Sequence, residues 1–100
     1  MKTLEIKIEW ILDTFPMSVY ADGNGTVTIS TFCFSDANWI ELALESMNIY
    51  YESYETIDDE TDRIEMVWEF DIKAIKNDCP KLYKEWSEMD LLNSAYRNKN

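Results

Sequence analysis

From Ile64 to Ile72 the chain alternates without a break. Ile64, Met66, Trp68, Phe70 and Ile72 fall on one side, and Glu65, Val67, Glu69 and Asp71 on the other. A segment that changes character at every second residue is a β-strand with one face in a core and one in water, because successive side chains point to opposite faces. A strand buried on both faces would not place three carboxylates on one of them. The pattern commits the chain to a sheet covered on one side only, and the rest of the sequence must supply its neighbours and its cover.

The nearest neighbour is the Tyr-rich segment Ile49 to Ile57, joined to this strand by the polar connection Asp58 to Arg63. Pairing Ile57 with Ile64 sets Tyr51 opposite Phe70 and Ile49 opposite Ile72 on the buried side. The same register sets Glu52 opposite Glu69. Like charges directly opposed across strands are destabilising, so either the register differs or the repulsion is tolerated for a reason.

A hairpin earlier in the chain, the first of two, is expected from Met17 to Ala21 and Thr26 to Phe34, around Asp22-Gly23-Asn24-Gly25. Asp-Gly and Asn-Gly supply the positive φ angles that tight hairpin turns require. The oxygens of Asp22, Asn24 and Thr26 do not make a calcium loop, which needs a central Gly and a distal Glu within twelve residues. Leu4, Ile6, Ile8, Trp10 and Leu12 alternate with Glu5, Lys7 and Glu9, so a further strand is expected there. Leu4, Ile8, Ile11 and Phe15 also fit one face of a helix, and Pro16 ends either form.

Two helices follow from spacing and caps. Ser35 or Asp36 is expected to cap a helix to about Met47, with Trp39, Ile40, Ala43, Leu44 and Met47 as its apolar stripe. Asp78 is expected to cap another to about Tyr96, with Pro80 in its first turn and Leu82, Tyr83, Trp86 and Met89 on one side. Residues 97–100 are expected to fray. All four Trp residues (10, 39, 68 and 86) fall on faces assigned to the core. The expected fold is α+β, in the order β-ββ-α-ββ-α: a mostly antiparallel sheet of about five strands with two helices on one face.

At 100 residues and 46% hydrophobic composition the chain can fill one core, and two Gly and two Pro leave no flexible linker, so residues 1–100 are expected to form one domain. Apolar runs are short and the first residues interleave charges, so neither a membrane span nor a signal peptide is expected, and a cytoplasmic location is. The absence of His removes the commonest general base and transition-metal ligand. Cys33 and Cys79 lie far apart without a Cys-x-x-Cys pair and are expected to be buried or half-buried free thiols. No catalytic residues, metal ligands or cofactor site are read from the chain.

The charge is uneven. The whole carries −11, residues 50–72 hold nine acids against Arg63 alone, a balance of −8, and residues 73–100 hold six bases against four acids, a balance of +2. Such a chain does not suit direct nucleic-acid binding, which relies on neutralising phosphates, nor an anionic membrane surface. It suits a basic protein partner, as an inhibitor, immunity protein or nucleic-acid mimic would meet. The residues expected to meet it are Tyr50, Glu52, Tyr54, Asp58, Asp59, Glu60, Glu65, Glu69 and Asp71. Charge would steer encounter and the tyrosines would anchor contact. The plain alternative is that the acids keep the domain in solution and guard a strand edge. A small-molecule pocket among the aromatics and self-association through the sheet are the other classes, and two acidic strips would repel across a dimer axis.

Overall fold

The computed structural model describes residues 7–98. In chain order these form α1 (Ile8–Thr14), β1 (Ser18–Ala21), β2 (Thr26–Thr31), α2 (Phe34–Ser46), β3 (Glu52–Ile57), β4 (Ile64–Asp71), a 3-10 turn (Ile72–Ile75) and α3 (Pro80–Asn98). The architecture is α+β with one antiparallel sheet, of four strands in the order β1-β2-β4-β3. The chain leaves β2, passes through α2, lays down β3 at the far edge and turns back as β4 into the gap. The two edge strands are therefore β1 and β3.

The expected strand from Leu4 to Leu12 is corrected. Residues 4–6 lie outside the described residues, and Ile8 onward is helix. Burial decides between the two periods: Ile8 and Ile11 are fully buried, Leu12 and Phe15 pack on the core, and Trp10 is 49% exposed. A strand would have buried Trp10 and exposed Ile11. Phe15 adopts extended backbone, as the residue before Pro16 prefers, and this stops the helix. Among the described residues the sheet thus has four strands and not five, and the fold has three α-helices in place of two.

The face of β4 bearing Met66, Trp68 and Phe70 is the buried one, and α2 and α3 both lie against it. The Trp68 indole Nε1 donates to Glu41 Oε1 of α2 at 3.2 Å, and the Phe70 ring meets Trp86 of α3 with centroids 6.1 Å apart. Ile40, Ala43 and Leu44 of α2, with Ile8, Ile11, Val27, Ile29 and Ile75, complete one core. Two expected core tryptophans stand at its margin: Trp10 and Trp39 form a part-exposed cluster with Phe15, ring centroids 5.7–6.1 Å apart.

Helix ends differ from the expected caps. Cys33, exposed and not buried or half-buried as expected, is the N-cap of α2 without a side-chain bond, and Asp36 falls in its first turn. The first helical N–H bond of Tyr83 goes to the Cys79 carbonyl, so α3 starts at Pro80 behind Cys79 and not behind Asp78, and it continues through Asn98. The C-terminus of α2 is closed by Asn48 at φ +56°, with Asn48 N–H donating to Glu45 O and Ile49 N–H to Leu44 O. This left-handed closure, with Ile49 buried beside Leu44, turns the chain sharply toward β3. It also draws Ile49 and Tyr51 inward ahead of the strand, so β3 begins at Glu52 and not at Ile49. Tyr51 is half-buried and donates to Glu45 instead of pairing with Phe70.

Candidate functional site: the acidic open face of the second hairpin

The register of β3 on β4 is the one expected: Ile57 opposite Ile64, Tyr54 opposite Val67 and Glu52 opposite Glu69. With the helices stacked on the Met66–Trp68–Phe70 side, the other face of the sheet carries no helix among the described residues. On it lie Glu52, Tyr54 and Thr56 of β3, Glu65, Val67, Glu69 and Asp71 of β4, and Thr26, Thr28 and Ser30 of β2. Four carboxylates thus share one outward surface with the hydroxyls of β2 and β3 and with Val67.

Ladder alternation places Glu52 and Glu69 in a hydrogen-bonded pair, since the Asp58 N–H bond to Arg63 O fixes the phase of every second residue. Their Cα atoms are then roughly 5.5 Å apart. Tyr54 donates its hydroxyl to Glu69 Oε1 at 2.8 Å, which orients that carboxylate. This hydrogen bond holds the Tyr54 phenol above its usual value, with burial and the charges of Glu69 and Glu65 adding to it. Tyr50, 84% exposed, stands just ahead of β3 and walls a depression of about 380 Å³ shared with Thr26, Glu52, Glu69 and Asp71.

The nine residues singled out from sequence therefore separate into two groups. Tyr50, Glu52, Tyr54, Glu65, Glu69 and Asp71 share the open face or its rim. Asp58, Asp59 and Glu60 sit in the β3–β4 connection, which begins six residues along from Glu52, about 20 Å away at the strand rise. Asp58 organises that turn, accepting from Glu60 N–H at 3.2 Å and from the Thr61 hydroxyl at 2.9 Å. Asp71 also has a local task, capping the 3-10 turn by accepting from Lys73 N–H at 2.8 Å. The hairpin's one base, Arg63, stands at the turn end, 4.6 Å over the Phe32 ring, two residues before Glu65.

Sequence reading missed a groove of about 410 Å³ on the opposite side of β3, between that strand and α2, with Phe34, Ala37 and Glu41 on one wall and Ser53 and Glu55 on the other. Phe34 is 61% exposed there. The groove depends on β3 being an edge strand, which only the strand order reveals.

Chemically the open face presents negative charge and the rings of Tyr50, Tyr54 and, on β1 opposite Thr28, Tyr20. Among the described residues no group of three His, Cys, Asp or Glu side chains is placed to hold a metal ion, and no helix is long and apolar enough to cross a membrane. Burial, with the Glu9 carboxylate beside it, pushes the Cys79 thiol up to about 11, so it is a protonated core side chain at neutral pH. Comparison with protein-family models, curated proteins and solved structures finds no match for this chain.

Proposed function

We propose that this protein is a non-enzymatic binding protein of the inhibitor, immunity or nucleic-acid-mimic kind, which engages a basic surface of another protein through the open face of its second hairpin. The observation that carries this reading is the direct opposition of Glu52 and Glu69 on a helix-free face that also holds Glu65 and Asp71. Like charges directly opposed on paired strands repel, and their opposition itself adds nothing to the stability of the fold. A lysine or arginine set between them gains two attractions and removes the repulsion in one step, so the cost carried by the free protein returns as affinity. Tyr50 and Tyr54 flank the pair and supply aromatic contact. Association is steered by charge and weakens with salt.

The test is to replace Glu52, Glu65 and Glu69 by Lys, sparing the capping Asp71, and to compare recovery of bound proteins from the native host. The reading expects basic proteins recovered with the unaltered chain, lost with the triple variant and lost in high salt. Equal recovery with both chains, each folded by circular dichroism, contradicts it.

A further inference from the structure

Among the described residues no strand pairs with the outer edge of β3. In the ladder Glu52, Tyr54 and Thr56 exchange backbone bonds with β4, so the N–H and C=O groups of Ser53, Glu55 and Ile57 point away from the sheet. Every residue of β3 is solvent-exposed. The other edge is treated differently: Asn93 of α3 donates to the Ala21 carbonyl, one of the outward groups of β1. Beside the bare edge lies the groove between β3 and α2, with Met66 and Trp68 at its floor.

We propose that the partner enters as an added antiparallel strand along β3, an extended segment alternating basic and apolar residues; the idea rests on the acidic-face reading above. Pairing through Ser53, Glu55 and Ile57 puts the partner residues opposite these three on the groove side, toward Phe34, Ala37 and Met66. Residues between them then project onto the open face, beside Glu52, Tyr54 and Glu69. Each face of the incoming strand so has its own chemistry: apolar on the groove, cationic on the acid. A second copy of this chain is a poor occupant, because β3 carries Glu52 and Glu55 and no base. Pairing it with itself about Glu55 would confront Glu55 with Glu55 and Glu52 with Asp58.

The probe is a short synthetic peptide alternating Lys and Val. Its controls have the same composition with the lysines in one block, N-methyl groups on the Val amides, or N-methyl groups on the Lys amides. Strand addition expects the alternating peptide to bind and the Val-methylated and block peptides to bind about tenfold more weakly or worse, a 1.4 kcal/mol difference per decade. The Lys-methylated peptide should bind like the parent. Binding should slow exchange of the Ser53, Glu55 and Ile57 amides, and Ser53→Pro, which removes an outward donor without touching the bonds to β4, should weaken it similarly. The methylated peptides use the unaltered protein, so the test stands even if that variant does not fold. Equal affinity for all four peptides overturns strand addition and leaves the acidic face as the binding surface. Failure of the unaltered protein to bind any of them overturns both. Protection of the three amides in the protein alone, growing with its concentration, assigns the edge to a second copy and overturns the proposal.

Discussion

The two hairpins of this sheet are built from similar material and held in opposite ways. The turn of the first is gripped by α3: one oxygen of Asp90 accepts from Gly23 N–H at 2.8 Å and from Gly25 N–H at 3.1 Å, and Asn93 reaches the Ala21 carbonyl. The second has no helix at its turn. The Asp58–Arg63 connection is closed by its own backbone and by Asp58, and β3 is exposed along its length. One hairpin is tied to the core by residues some seventy positions away in sequence. The other extends its edge and its charge toward solvent. A fold that spends its anchoring contacts on one edge leaves the other as the place where a partner can add without displacing anything.

The contrast breaks most sharply at Gly23. A Cβ there would lie 2.9 Å from Ser94 N and 3.1 Å from the Asn93 carbonyl carbon, and the backbone sits at φ +90°. Steric overlap with backbone and left-handed strain together put Gly23→Ala at ~3 kcal/mol or more of lost stability. Gly25 has φ +86° and nothing within 4 Å of an added Cβ, so Gly25→Ala carries strain alone, ~1–2 kcal/mol. Thermal or urea unfolding of the pair checks this, and equal losses would mean that α3 does not pack on the turn. Next comes Asp90→Ala, which strips a charged acceptor from two part-buried N–H groups and should cost ~2 kcal/mol. Asp58→Ala in the other turn should cost less, because its bonds are exposed.

On the second hairpin the sign reverses. Glu52→Lys turns a repulsion across from Glu69 into an attraction and should raise stability by ~0.5 kcal/mol, more at low salt, while weakening cationic binding. A loss of stability would show that the pair is not strained. The least effect near neutral pH belongs to the buried thiol. Cys79 has a folded pKa of about 11 against an ordinary value of 9.0, so its contribution is complete below pH 9 and is lost as pH rises through 11. Tyr54, also raised, acts in the same direction above its ordinary 10.0. Unfolding free energy should therefore fall through this alkaline range, and Cys79→Ala or Tyr54→Phe should each flatten the fall.

Local periodicity made the second hairpin readable, down to the Glu52–Glu69 opposition, because two strands joined by a short polar turn have few ways to pair. The helical positions of Ile40, Ala43 and Leu44 and of Leu82, Tyr83, Trp86 and Met89 were readable for the same reason. Ile8 to Leu12 was not, since so short a stretch satisfies both periods and only packing shows that Ile11 goes in and Trp10 stays at the surface. The hold of Asp90 on Gly23 joins residues 67 apart, which no local pattern announces. Strand order was hidden too, because it depends on where the chain returns after α2, and with it went the bare edge and its groove. Asn48 was the overlooked signal: an Asn just past an apolar helix often takes the left-handed closure that sets where the next strand starts.

The most direct measurement is a titration of the isotope-labelled protein with an oligolysine peptide, following backbone amide shifts at low and high salt. Shifts gathered on Tyr50 to Thr56 and Glu65 to Asp71, fading with salt, are what a cation-binding open face predicts. Shifts centred on the first hairpin or on α3, or none at low salt, would contradict it.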